Sequence, residues 1–193
     1  MGASFVLEAG NTPVGSCEFR STLVVDKDWR CDLLGHQIMM VHRRRQDFFR
    51  HIEHIYEVSE AGDVRGELYY GREASIFKPM YYHQLTWERT PYRFYAVGFG
   101  KEGLKCPVLR EDRQIGLVTK APEVRNALHT FDVYAANDHD MLMSVLLTLN
   151  YYVRKYFSTG TAHSTSITHL YTTNRELLAK LDPAFMEQCR ADE

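Results

Sequence analysis

Arg43, Arg44 and Arg45, with Arg50 shortly after them, form the densest positive cluster in the chain. A guanidinium offers its donors in a planar fork that matches phosphate oxygens, so the cluster reads as a clamp for an anionic headgroup. It also reads as a solvated turn balanced by Asp47 and Glu53. Nearby, His36, His42, His51, His54 and Glu53 lie close enough in sequence to suggest a metal site. On a strand, however, His51 and His54 point to opposite faces and cannot hold one ion without a bulge. Surface or hydrogen-bonded histidines are the simpler reading, and no metal or other cofactor is expected. His129, Asp132, Asp138, His139 and Asp140 gather where a strand gives way to a helix. Capping accounts for them, whereas acid–base chemistry would need a pocket and shifted pKa values. No GxSxG, P-loop, GxGxxG or HExxH pattern occurs.

The aromatic groups Tyr69-Tyr70, Tyr81-Tyr82 and Tyr92-Arg93-Phe94-Tyr95 would suit a stacking platform for single-stranded nucleic acid if basic charge were in excess. It is not. The formal charge is −2, with 12 basic and 13 acidic residues in 1–100 and 11 and 12 in 101–193, so no nucleic-acid partner is expected. Packing across paired strands explains the aromatics instead. Cys17, Cys31, Cys106 and Cys189 contain no CxxC and suggest neither a zinc site nor a disulfide framework, so reduced thiols in a cytoplasmic protein are expected. The first residues lack the features of a signal peptide or a myristoylation site, and no secretion or lipid anchor is expected.

The elements that must position these groups are mostly strands. Up to about residue 136 the chain has a period of two: Ile52, Tyr56 and Val58 share a row opposite Glu53 and Glu57. Tyr81, Leu85 and Trp87 alternate with Tyr82, Gln84 and Thr86, and Phe131, Val133 and Ala135 alternate with Thr130, Asp132 and Tyr134. Such half-polar strands belong to antiparallel sheets. Glu60–Asp63, Lys101–Gly103 and Glu111–Gln114 read as hairpin turns.

One segment breaks the rhythm. A helix is expected over 139–157, with Asp138 or Asp140 as its cap and Arg154 and Lys155 near its negative end. From 141 to 149 it is apolar nearly all round, leaving Ser144 and Thr148 as a narrow polar strip. A membrane span would need about 20 apolar residues. This run is shorter and Asn150 interrupts it, so no transmembrane segment is expected. The helix reads as enclosed by the protein's own sheet, with Leu142, Val145, Leu146 and Leu149 at its core. Beyond it, Ser158–Ser166 reads as a loop, Ile167–Tyr171 as a short strand, and Thr173 or Asn174 as the cap of a helix through Leu177, Leu178 and Leu181. Asp182-Pro183 opens a last helix over 183–190. This tail either packs on the main body or covers a partner subunit.

Antiparallel strands followed by one very hydrophobic helix resemble the tubby C-terminal fold of the LURP-one-related and phospholipid-scramblase-like proteins. Gln114-Ile115-Gly116-Leu117-Val118-Thr119-Lys120 is similar to one of that family's strands, and Phe131-Asp132-Val133-Tyr134 to the next. Asp138 to Leu149 resembles its acidic lead into the central helix, and Tyr56-Glu57-Val58 with Gly66-Glu67-Leu68 is a weaker echo of its paired strands. The likeness spans roughly residues 37–157. It implies a closed barrel wrapped around a central helix and a non-enzymatic binding role, since tubby proteins bind phosphoinositides and scramblases are linked to membrane lipids.

The expected fold is therefore mainly β: a closed antiparallel barrel over 1–158 around helix 139–157, with 159–193 as a linker and helical tail packed on it. The expected function is a cytoplasmic binding or scaffold module that takes anionic phospholipid headgroups through Arg43, Arg44, Arg45 and Arg50, or a protein partner. Two alternatives stand beside it. One is a barrel enzyme or metal-dependent protein using the His-rich segment 36–54. The other is a purely structural protein that forms oligomers through its C-terminal tail.

Overall fold

Among the described residues, alternating rows of the sequence become twelve strands: β1 (Gly2–Ala9), β2 (Thr12–Ser21), β3 (Lys27–Leu33), β4 (His36–Gln46), β5 (Ile52–Glu60), β6 (Asp63–Glu73), β7 (Met80–Trp87), β8 (Thr90–Phe94), β9 (Val97–Gly98), β10 (Leu104–Arg110), β11 (Arg113–Lys120) and β12 (Asp132–Ala135). The α-helices α1 (Asp138–Tyr152), α2 (Arg175–Leu178) and α3 (Phe185–Ala191) follow them. The computed structural model describes residues 2–21, 27–46, 52–73, 79–124, 129–157 and 169–191.

Strand order follows the chain from β1 to β8 and continues β10-β11-β12, with β9 pairing β10. The closed barrel is not formed. Among the described residues β1 and β12 are the two ends of the order, paired only with β2 and β11 respectively. The edge character of β1 shows in its side chains: Val6 is 62% exposed, and none of those described from Ala3 to Ala9 is buried. The chain divides into two compact units, Met1–Tyr70 with Thr86–Thr90, and Gly71–Leu85 with Pro91–Glu193.

In the first unit the buried rows run across the strands in register. Phe19 faces Trp29, Trp29 faces Met40, Met40 faces Val58 and Val58 faces Gly66, with the four large side chains fully or almost fully buried. Gly66 ends this row for a steric reason: a Cβ there would lie 1.7 Å from the Thr86 carbonyl oxygen. The expected turn at Glu60–Asp63 is present, with Ala61 and Gly62 at φ +49° and +93°, the doubly left-handed geometry that matches the twist of paired strands.

The second unit is built on α1. From Leu142 to Tyr152 every side chain is buried, including Leu142, Val145, Leu146 and Leu149. Its neighbours come from several strands: Gly116 of β11 lies against Ser144, and Phe94 of β8 and His83 of β7 pack on Tyr151. Ser144 Oγ donates to the Asp140 carbonyl and Thr148 Oγ1 to the Ser144 carbonyl, each at 2.7 Å, so the narrow polar strip is satisfied within the helix. The cap is Asn137, whose Oδ1 accepts from the Asp140 N–H at 2.9 Å; Asp138 and Asp140 instead occupy the first turn. At the other end the helix widens into π geometry over Val153–Phe157.

Of the tail, 158–168 lie outside the described residues. Residues 169–174 are irregular rather than a strand, although Thr172 N–H donates to the Gly98 carbonyl at 2.8 Å and Gly98 N–H to Thr172 Oγ1 at 2.9 Å. Asn174 caps α2 through the Glu176 and Leu177 amides. The expected turn at Lys101–Gly103 is a single 3-10 turn, Gly100–Glu102, leading into β10.

Candidate functional site

The arginine cluster lies on β4, where a solvated turn was the competing reading. Arg43 and Arg45 share one row, and Arg44 is on the other. Cross-strand carboxylates meet the first two: Arg43 Nη2 is 3.4 Å from Glu57 and Arg45 Nη1 is 3.1 Å from Glu67. Their side chains remain half exposed, so each pair contributes roughly 0–1 kcal/mol and opens readily to a competing anion. Arg50 and Asp47 lie outside the described residues, as does His51. The side chains of Glu53 and His54 are likewise outside what is described, while His36 and His42 have separate partners: His36 Nδ1 sits 2.5 Å from Glu60, and His42 packs edge-on against Tyr56. Among the described residues no three His, Cys, Asp or Glu side chains are placed to hold a metal ion, and no helix is long and apolar enough to cross a membrane.

A cleft of about 620 Å³ opens in the second unit, between the β10–β11 hairpin, the N-terminus of α1 and the tail. The hairpin places Arg110 and Arg113 directly opposite one another across the Glu111-Asp112 turn. Across the cleft, Asp182 N–H donates to Gln114 Oε1 at 2.8 Å, docking the tail on β11, and Phe185 is buried behind it. Lys180 reaches Glu73 at 3.4 Å and lies 4.7 Å over the Tyr95 ring.

Asp140 is the most enclosed charge of this site, at 4% exposure. Asn137 Nδ2 donates to its Oδ2 at 2.9 Å. Its Oδ1 lies 3.5 Å from Arg110 Nη1 and accepts no hydrogen bond among the described residues. Gln114 Nε2, also buried, has no acceptor there. A carboxylate oxygen short of a donor and an amide short of an acceptor, with Arg113 and Lys180 close by, can engage a ligand that carries groups of both signs.

Three buried basic groups lie elsewhere in this unit. Burial, reinforced by Arg154, pushes His83 down to about 3; Asn150 Nδ2 donates to its Nδ1 at 2.9 Å, which leaves the proton of the neutral ring on Nε2. Burial also lowers His169 to about 4, with the charges of Lys120 and Lys155 adding to the effect. Lys120 itself is lowered by burial; its Nζ donates to the Ala121 carbonyl at 2.8 Å and lies 5.4 Å and 5.7 Å from the Tyr156 and Phe131 rings.

From the sequence Asp140 reads as a capping group, with acid–base chemistry as the alternative, and Arg110, Arg113, Lys180, Lys120, His83 and His169 do not stand out as site residues. The two arginines flanking Glu111-Asp112 were the visible signal; their meeting with the tail was not. Comparison of the chain with protein-family models, with curated proteins and with solved structures gave no match, and the site is read from its own geometry.

Proposed function

We propose that the chain is a non-enzymatic binding module of the tubby-like class, whose cleft takes a zwitterionic group: an ammonium toward Asp140 and an anionic group toward Arg113. The observation that carries this reading is the buried Asp140 carboxylate with an oxygen that accepts no hydrogen bond, in a cleft that also presents cationic side chains. An antiparallel sheet packed on a helix buried all round supports the tubby-like class. A second reading, an anionic headgroup on β4, is supported by Arg43 and Arg45 lying on one exposed row with ion pairs weak enough to exchange.

Zwitterions of this kind occur as phosphoethanolamine headgroups and as peptides with free termini. The test titrates the chain with soluble phosphoethanolamine, with a short peptide and with phosphatidylserine vesicles, reading backbone resonances in the first two arms and sedimentation in the third. Shifts confined to 109–115, 136–140 and 176–189, and weakened at least tenfold in Asp140→Asn with its circular dichroism unchanged, are expected; the responding zwitterion identifies the source. Absence of shifts with both zwitterions, or an Asp140→Asn variant that binds as the parent does, overturns the cleft reading. Vesicle binding lost in Arg43→Ala/Arg45→Ala would establish the headgroup reading instead. Neutral replacement is the right probe there, because charge reversal would set like charges against Glu57 and Glu67.

A further inference from the structure

Cys17 on β2 and Cys31 on β3 are direct Cα partners across an antiparallel pair. Both side chains belong to the inner row, at 2% and 5% exposure, and the Cys17 thiol is near enough to raise the pKa of Cys31. Cys106 and Cys189 belong to the other unit, and all four cysteines are free thiols in this structure. Directly opposed residues of an antiparallel pair have Cα atoms about 4.5–5.5 Å apart. Disulfides span Cα separations of about 4.4–6.8 Å. The strand register thus sets the two Cα atoms at a separation that a disulfide spans. On either side, Gly15 faces Leu33 and Phe19 faces Trp29, so the register is held by apolar packing whether or not the bond is made.

We propose that Cys17 and Cys31 are a modification site, a dithiol that closes into a reversible cross-strand disulfide by exchange with a low-molecular-weight disulfide. One cysteine, as its thiolate, attacks a sulfur of the small disulfide, forms a mixed disulfide and expels one small thiolate. The second cysteine, after losing its proton, attacks the protein-side sulfur of that mixed disulfide; the Sγ–Sγ bond forms and the second small thiolate leaves. The two protein thiols are oxidised, the small disulfide is reduced to two thiols, and the two protons released by the protein end on them. The neighbouring Cys17 thiol and then burial hold the Cys31 thiol in its protonated form, which makes the closed sheet slow to react. The route in is the edge: β1 covers β2 with no fully buried side chain among Ala3–Ala9, so fraying of β1 uncovers the strand that carries Cys17.

The proposal is tested on the full chain equilibrated with glutathione buffers of increasing oxidised fraction, both from the native state and during refolding from urea, then alkylated and analysed by intact mass and peptide mapping. The expected product has lost two hydrogens, carries the Cys17–Cys31 crosslink and leaves Cys106 and Cys189 alkylated. Its thermal midpoint is raised relative to the reduced chain, because the bond restricts the unfolded state. Cys106→Ser/Cys189→Ser keeps the product, whereas Cys17→Ser and Cys31→Ser each abolish it. Four alkylatable thiols after refolding, an end point of glutathione adducts on Cys17 or Cys31, or a crosslinked chain that melts below the reduced one would overturn it.

Discussion

Gly116 supplies the sharpest test of how the helix is seated. A Cβ at this position of β11 would come within 2.3 Å of Ser144 Oγ, with Ser144 Cβ and Val108 Cβ each at 3.4 Å. The obstructing hydroxyl cannot swing aside freely, because it is fully buried and donates to the Asp140 carbonyl at 2.7 Å. Gly116→Ala must therefore displace the helix from the strand or break that hydrogen bond, and overpacking of this kind costs about 1–3 kcal/mol. Ser144→Ala on its own removes a hydroxyl whose acceptor carbonyl also lies in the helical ladder, so it should cost about 1 kcal/mol or less. With the oxygen gone, the new methyl meets only contacts of 3.4 Å, and the double variant should be more stable than the sum of the single effects by about 1 kcal/mol or more. Urea unfolding followed by circular dichroism reads this directly, since α1, α2 and α3 belong to the second unit. Strict additivity, or a neutral Gly116→Ala, would refute this packing of α1 on β11.

Other substitutions probe the same unit. Leu146→Asp places a carboxylate at a position with no exposure, and the expected loss exceeds about 4 kcal/mol, read as disappearance of the helical signal; soluble protein with an unchanged melting curve would contradict it. Asn137→Ala removes the cap of α1 and a donor to Asp140, for an expected loss of about 1–2 kcal/mol in urea unfolding. His83 and His169 are depressed to about 3 and about 4 from 6.5 by burial and by neighbouring cations. The unfolded chain therefore binds protons that the folded chain refuses: their stabilisation is complete above about 6.5 and falls between there and each folded value, by up to about 1.4 kcal/mol per pH unit per histidine. His169→Gln should flatten the acid limb of a stability–pH curve, and an unaltered limb would remove His169 from the account.

Much of this fold was legible because period and burial are local properties. The stretch from Leu142 to Leu149 has no face for water, so a helix there had to be covered, and in the second unit strands on several sides cover it. Barrel closure was not legible. Alternation states which side of a strand is buried, but it does not say what lies beyond the first and last strands. β1 carries Phe5, Val6 and Leu7 and still ends the order. On β7 the pattern placed Tyr81 in the row of Leu85 and Trp87, yet Tyr81 is 49% exposed while His83 fills the row. A histidine becomes an acceptable core residue only through a specific partner, here Asn150, 67 positions away.

The candidate sites fail to follow the sequence for a related reason: charge density along a chain is not charge density in space. Arg43 and Arg45 look like a basic patch until the strand register brings Glu57 and Glu67 beside them. Arg110, Arg113 and Lys180 look like isolated charges until the tail docks on Gln114, 68 positions from Asp182. This difference has a measurable consequence. A zwitterion gains little from the field of a chain whose net charge is −2, so its association with the cleft should depend weakly on salt once it is in contact with Asp140. An anionic vesicle on β4 would be drawn by exposed guanidinium groups, and that attraction fades as the screening length falls to about 8 Å near physiological ionic strength. Affinity measured at low and at physiological salt therefore separates the two: a steep loss belongs to β4, and a flat response belongs to the cleft.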